Sequence, residues 1–166
     1  MYPAKNLDNK IKEFWPKSGP PISEIEKYVK KYSKEKIVIK CGGRVLLGPE
    51  LFNNFINDVT ILKKLGLTPI VVHGGGPRIK KKLDELNIET KFIMGLRVTD
   101  EKIIKIVEDV MIEFNKEIVD AIEKKACKAK SITIKENNTI YVKQKNTELG
   151  YVGIPTRIDV KLINNL

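Results

Sequence analysis

Two short segments of this chain carry residue types suited to handling an anion. Lys40-Cys41-Gly42-Gly43 follows the β-branched run Ile37-Val38-Ile39, and His73-Gly74-Gly75-Gly76-Pro77 follows Pro69-Ile70-Val71-Val72. A buried strand that runs into a glycine turn and then a helix is an anion-binding arrangement: glycine lets the backbone approach a ligand, and the helix N-terminus offers unpaired N–H groups with a partial positive charge. Lys40 would stand where it can neutralise a phosphoryl group, and Arg97, two residues after Gly95, has the fork that grips a carboxylate. Plainer readings exist for each. A glycine can serve a tight turn alone, a lysine in a lysine-rich chain can be a solvated strand end, and His73 reads as a structural imidazole bonded to the turn backbone. The run of glycines at 74–76 is the hardest to treat this way, because of the backbone entropy it costs. Neither segment is a Walker loop, G-x-x-x-x-G-K-[ST], nor a dinucleotide fingerprint, G-x-G-x-x-G.

The elements that must position these residues follow from periodicity. Ile37-Val38-Ile39 and Pro69-Val72 read as buried strands. Between them, Pro49 suits the first turn of a helix, Leu51, Phe55, Val59 and Leu62 recur at steps of three and four, and Gly66 closes it. A further helix opens at Pro77, with Ile79, Leu83 and Leu86 on one face. A short strand near Thr90–Ile93 leads to Gly95, and a long helix follows Asp100 with Ile103, Val107, Val110, Phe114 and Ile118 on one face. Beyond it, Ser131–Ile134 and Thr139–Val142 read as a hairpin around Asn137-Asn138, Tyr151–Ile154 as one more short strand, and Asp159 as a final helix start. Upstream, a helix spans about Ile22–Tyr32 after the Gly19-Pro20-Pro21 break. Residues 1–20 form a separate helical extension with a weak apolar stripe at Leu7, Ile11, Phe14 and Trp15. Alternating strand, glycine turn and helix predicts an α/β three-layer sandwich, a mostly parallel central sheet covered by helices on both sides. In such a sheet the two glycine turns lie on the same edge, where ligands bind.

Composition narrows the function classes. The chain has 166 residues and a net charge of +10, but its basic residues are mostly lysines spread along its length, with no arginine-rich arm or zinc-finger spacing. No nucleic-acid partner is expected. Two cysteines, Cys41 and Cys127, make no disulfide framework, and with one histidine, His73, no metal centre is expected. No signal peptide and no run of roughly 20 apolar residues is present, so a soluble cytoplasmic protein without membrane contact is expected.

Taken in order, Lys40-Cys41-Gly42-Gly43, Val71-Val72-His73-Gly74-Gly75-Gly76-Pro77 and Gly95-Leu96-Arg97-Val98-Thr99-Asp100 resemble the N-acetylglutamate kinases of the amino acid kinase superfamily. Asp58-Val59, Leu62-Lys63, Asn115-Lys116-Glu117-Ile118-Val119 and Leu149-Gly150-Tyr151-Val152-Gly153 add to the match, which covers about residues 24–166. The resemblance implies the carbamate kinase-like fold and transfer of a phosphoryl group from MgATP to the side-chain carboxylate of N-acetyl-L-glutamate, in arginine synthesis. It implies that Lys40 stabilises the transferring group, that Gly42 and Gly43 donate N–H groups to it, that Gly75 and Gly76 contact the substrate, and that Arg97 holds its α-carboxylate. Residues 21–166 would be the acetylglutamate-binding domain and the homodimer interface. The N-terminal segment, Met1–Tyr32, resembles the extra helix that links dimers into hexamers in arginine-inhibited members.

The chain also departs from the family pattern. Lys-Tyr-Gly-Gly-Asn-Ala-Met becomes Lys40-Cys41-Gly42-Gly43-Arg44-Val45-Leu46, and a Gly-Leu-Ser-Gly-Lys-Asp segment becomes Ser131-Ile132-Thr133-Ile134-Lys135-Glu136. The family's Asn-x-Asn-Ala-Asp segment and the ATP-site lysine do not occur. The nucleotide site is therefore expected to lie mostly outside this chain, and the chain is expected to be a truncated form without turnover of its own. Two other readings remain open at this level: a non-catalytic amino-acid-binding module, and a related kinase acting on another carboxylate such as aminoadipate or aspartate.

Overall fold

The computed structural model describes residues 11–43, 47–133 and 139–165. In chain order they form α1 (Ile22–Tyr32), β1 (Lys36–Cys41), α2 (Pro49–Lys64), β2 (Thr68–His73), α3 (Gly76–Glu85), β3 (Phe92–Ile93), β4 (Leu96–Arg97), α4 (Glu101–Glu123), β5 (Ile140–Gln144), β6 (Gly153–Ile158) and α5 (Val160–Asn164). The fold is α/β, built on a parallel sheet and helices, as the alternation of elements predicts.

β1 and β2 pair in parallel, Ile37 opposite Pro69, Ile39 opposite Val71 and Cys41 opposite His73. Successive strand residues point to opposite faces. Ile39, Cys41 and Val71 pack into a core with Ile56 and Val59 of α2 and Phe114, Ile118 and Ile122 of α4. The other face carries Val38 and Val72, which are 67% and 48% exposed. A parallel sheet is normally covered on both faces. Among the described residues, two of the three expected layers are therefore present.

α4 follows its apolar stripe closely. Asp100 caps it by accepting a hydrogen bond from the Ile103 N–H at 2.8 Å, and Ile103, Val110, Phe114, Ile118 and Ile122 are buried. α3 lies against α4 through Ile79, Leu83, Ile103 and Val110. In α2 the expected Val59 is buried and Phe55 and Leu62 pack at the edges of the core, but Leu51 is exposed, and Ile56 and Thr60 are buried in addition. Leu86, expected on the inner face of α3, is also exposed.

The region after α4 corrects the expected hairpin. Ser131–Thr133 is not a strand; β5 pairs antiparallel with β6 instead. The Asn137-Asn138 turn lies outside the described residues. Pro155 enters β6 at a register shift, Val142 facing Pro155 while Tyr141 faces Arg157, which leaves Thr156 as the extra residue. That is where a strand tolerates proline. The ribbon is joined to the rest beside Leu149, which is buried, through hydrogen bonds from Thr99 N–H to Leu149 O (3.0 Å) and from Tyr151 N–H to Thr99 O (2.7 Å).

Residues 11–20 pack against the rest of the chain. Ile11 is 1% exposed and packs, with Phe14 and Trp15, against Ile25, Leu65 and Leu67. Residues 1–10 lie outside the described residues.

Candidate functional site

The two glycine turns meet at the C-terminal ends of β1 and β2. The Gly74 N–H donates to Cys41 O at 3.1 Å. Gly43 lies so close to the second turn that a Cβ there would sit 3.0 Å from both Gly74 O and Pro77 Cδ, tighter than ordinary contact. The approach of one turn to the other thus favours glycine at 43. Gly42 and Gly76 differ: a Cβ on either would meet nothing within 4 Å among the described residues, and neither has a positive φ. Packing among the described residues gives no reason for glycine at these two positions, whereas a ligand resting on the backbone would.

Lys40 precedes the first turn on the open face of the sheet, opposite Val72, and is exposed. It has no hydrogen bond or ion pair among the described residues. Arg97 lies on a separate hairpin. β3 and β4 are joined by Met94 and Gly95, both at positive φ (49° and 79°), the two-residue turn whose twist matches antiparallel strands. The Arg97 guanidinium sits over the Phe92 ring at 4.7 Å, and its Nη1 is buried without a hydrogen-bond partner among the described residues. A buried guanidinium nitrogen left unpaired is costly, and a carboxylate would satisfy it. The structure thus brings Lys40, Gly42, Gly43, Gly75 and Gly76 to one edge. Arg97 stands on its own hairpin ahead of α4, with no hydrogen bond or ion pair to either turn.

His73 is structural, as expected, but its partner is not the turn backbone. Its Nε2 faces Asn115 Nδ2 at 3.3 Å, and Ser131 Oγ donates to Asn115 Oδ1 at 2.6 Å. The imidazole packs edge-on to the Phe114 ring, centroids 4.9 Å apart, and its Nδ1 is buried without a partner. Burial, and secondarily the positive charge of Arg78, push the His73 pKa below its ordinary 6.5, so the ring is neutral at pH 7. Arg78 itself makes a two-pronged pair with Glu117 and stacks on the outer face of Phe114 at 3.8 Å. Periodicity reveals none of these cross-chain partners. The sequence signal is that Asn115 and Glu117 lie in the segment Asn115–Val119 that resembles the family, on the helix that carries the core stripe; it does not name their partners.

No group of three or more His, Cys, Asp or Glu side chains suited to a metal ion occurs among the described residues, and no helix there is long and apolar enough to cross a membrane.

Residues 35–166 match the amino acid kinase family. The chain belongs to the amino acid kinase family. It is 58% identical over 151 residues to an acetylglutamate kinase of Pelagibacter ubique (strain HTCC1062), an alignment covering 91% of this chain and 52% of that protein. It is 42% identical to an acetylglutamate kinase of Petrotoga mobilis, covering 84% of this chain and 48% of that one. The chain spans about half the length of the curated relatives it matches. Among solved structures, it superposes on N-acetylglutamate synthase from Neisseria gonorrhoeae, complexed with coenzyme A and N-acetyl-glutamate. That match has a TM-score of 0.70 and 19% identity, and covers 87% of this chain and 34% of the synthase; it is a likeness of fold.

Proposed function

We propose that these residues form the acetylglutamate-binding half of an N-acetylglutamate kinase, which transfers the γ-phosphoryl group of ATP to the side-chain carboxylate of N-acetyl-L-glutamate, leaving ADP and an acyl phosphate. The observation that carries this reading is the meeting of two glycine turns at one sheet edge beside a lysine with no partner among the described residues. Both reactants are anions, and the attacking carboxylate is already ionised at neutral pH, so no general base is needed. The protein's task is to position the two groups and to supply positive potential where negative charge spreads over the transferring oxygens. In this reading the Lys40 ammonium and the Gly42 and Gly43 N–H groups face the phosphoryl oxygens. Gly75 and Gly76 present backbone to the acetylglutamate, and the free Nη1 of Arg97 meets its α-carboxylate. ATP is brought with Mg2+, and no residue described here is assigned to the metal. The reading includes a cytoplasmic place of action. It also includes a homodimer through residues 21–166 and a hexamer through the N-terminal segment, both measurable by light scattering.

Calorimetric titration of the chain with N-acetyl-L-glutamate, against free glutamate, acetylaspartate and aminoadipate, tests the site. Acetylglutamate is expected to bind best. Arg97→Ala is expected to cost on the order of 2–5 kcal/mol of that affinity, the penalty for leaving a charge unpaired. Unchanged binding by the variant, or no preference for acetylglutamate, would overturn the reading. In an enzyme that includes the second half, Lys40→Ala is expected to lower kcat far more than it raises KM, since its charge matters most where charge develops.

A further inference from the structure

The run Gly74-Gly75-Gly76 is intrinsically loose, yet a site needs its N–H groups fixed. The structure shows what fixes it. The residue before the run, His73, packs on Phe114 and bonds Asn115. The middle glycine lies directly on Met111, where a Cβ would collide with Sδ. The second residue after the run, Arg78, stacks on Phe114 and is held in a fork by Glu117. Positions three and four apart on a helix share a face, so Met111, Phe114 and Asn115 form one platform, with Glu117 at its rim. We propose that His73 and Arg78 are positioning residues, clamping the two ends of the glycine run onto this single patch of α4 so that its backbone is preset for the acetylglutamate carboxylates.

The clamp at Arg78 is not explained as a stability device. The Arg78 and Glu117 side chains are 30% and 43% exposed, and ion pairs so placed add little to stability. Their geometry is nevertheless the demanding one, a guanidinium held by both oxygens of a carboxylate and flat on an aromatic ring, which lysine cannot copy. At the other end, hydrogen bonding fixes the histidine tautomer. The Ser131 hydroxyl occupies Asn115 Oδ1, so the Asn115 amide nitrogen faces His73 and can only donate. Nε2 must then be the lone-pair nitrogen, and the proton sits on Nδ1. The same chain ties the segment at Ser131 to the glycine run.

The proposal rests on the acetylglutamate reading for its ligand but not for its geometry, and the test separates the two. Arg78→Lys and Glu117→Gln are compared with the parent by calorimetry with N-acetyl-L-glutamate, urea denaturation, and amide hydrogen exchange. The exchange readings are at Gly74 N–H, bonded to Cys41 O, and Ile79 N–H, bonded to Gly75 O. Both variants are expected to weaken binding and speed exchange at these two amides by roughly tenfold, the loss of one charge-assisted contact, with the urea midpoint lowered by no more than that one contact accounts for. Unchanged exchange at both amides, or exchange accelerated equally throughout β1 and α2, overturns the Arg78 clamp. Because the chain has one histidine, its imidazole nitrogen spectrum reads the other end without assignment. Protonation on Nε2 overturns the His73 half. A parent chain that binds no acetylglutamate sinks the functional reading alone, and the exchange data still decide the clamp.

Discussion

The glycine edge and the β5–β6 ribbon are both built from paired strands, but they are held in opposite ways. Behind the glycine edge, β1 and β2 lie on a core that includes Phe114 and Ile56, each 1% exposed. In the ribbon every residue of both strands is exposed, and the pair is fastened at Leu149 and Thr99. A lone two-stranded ribbon is marginal in water, whereas burial of apolar area dominates folding. Order at the proposed site therefore comes from α2 and α4, while the ribbon depends on its one buried anchor and its cross-strand contacts.

This contrast can be broken hardest at Phe114. Phe114→Ala removes a fully buried ring that also carries Arg78 and His73, and is expected to cost about 3–5 kcal/mol by urea denaturation. Ile11→Ala is expected to cost about 2–5 kcal/mol, which separates a structural N-terminal segment from an appended one; a shift under about 0.5 kcal/mol would return residues 11–20 to the status of a tail. Gly43→Ala forces the two turns apart by a few tenths of an ångström and is expected to cost about 1–3 kcal/mol. Acid should act on the same edge. The folded-state pKa of His73 is lowered, so below about 6.5 the unfolded chain takes up a proton that the folded chain resists. This contribution to stability is present above about 6.5 and is lost progressively below it, as pH falls through the lower folded-state pKa. Melting temperature should fall with acidification over that range, and His73→Gln should flatten this part of the profile. Smallest of all, Val142→Thr in the ribbon should change stability by less than about 0.5 kcal/mol.

What the sequence discloses follows the range of the interactions involved. α4 is legible because Asp100 and the stripe from Ile103 to Ile118 are local signals, and the parallel pair because each strand is a β-branched run followed by glycine. The partner of β5 is not, since nearness favours Ser131–Ile134, whereas β6 has a proline that only a bulge admits. The start of the α2 stripe is hidden too: Leu51 and Phe52 are both apolar, and only docking on the sheet selects between them. In the site, Lys40 and the glycines announce themselves by type and position. Asn115 and Glu117 stand out only as part of a resembling segment, and their partners are not legible, because the contacts that matter reach back 42 and 39 residues to His73 and Arg78.

The Met94–Gly95 turn has a chemical consequence. Met94 is 97% exposed at the tip of the hairpin that carries Arg97, whereas Met111 is packed beneath Gly75. Thioether oxidation follows accessibility. Dilute peroxide should therefore convert Met94 to its sulfoxide well before Met111, adding one oxygen at a position that contributes nothing to the core. The rate of that reaction, followed by mass spectrometry of the peptide containing Arg97, is a native reporter of the hairpin. Slower oxidation of Met94 with ligand bound than without would mark the hairpin settling over its carboxylate.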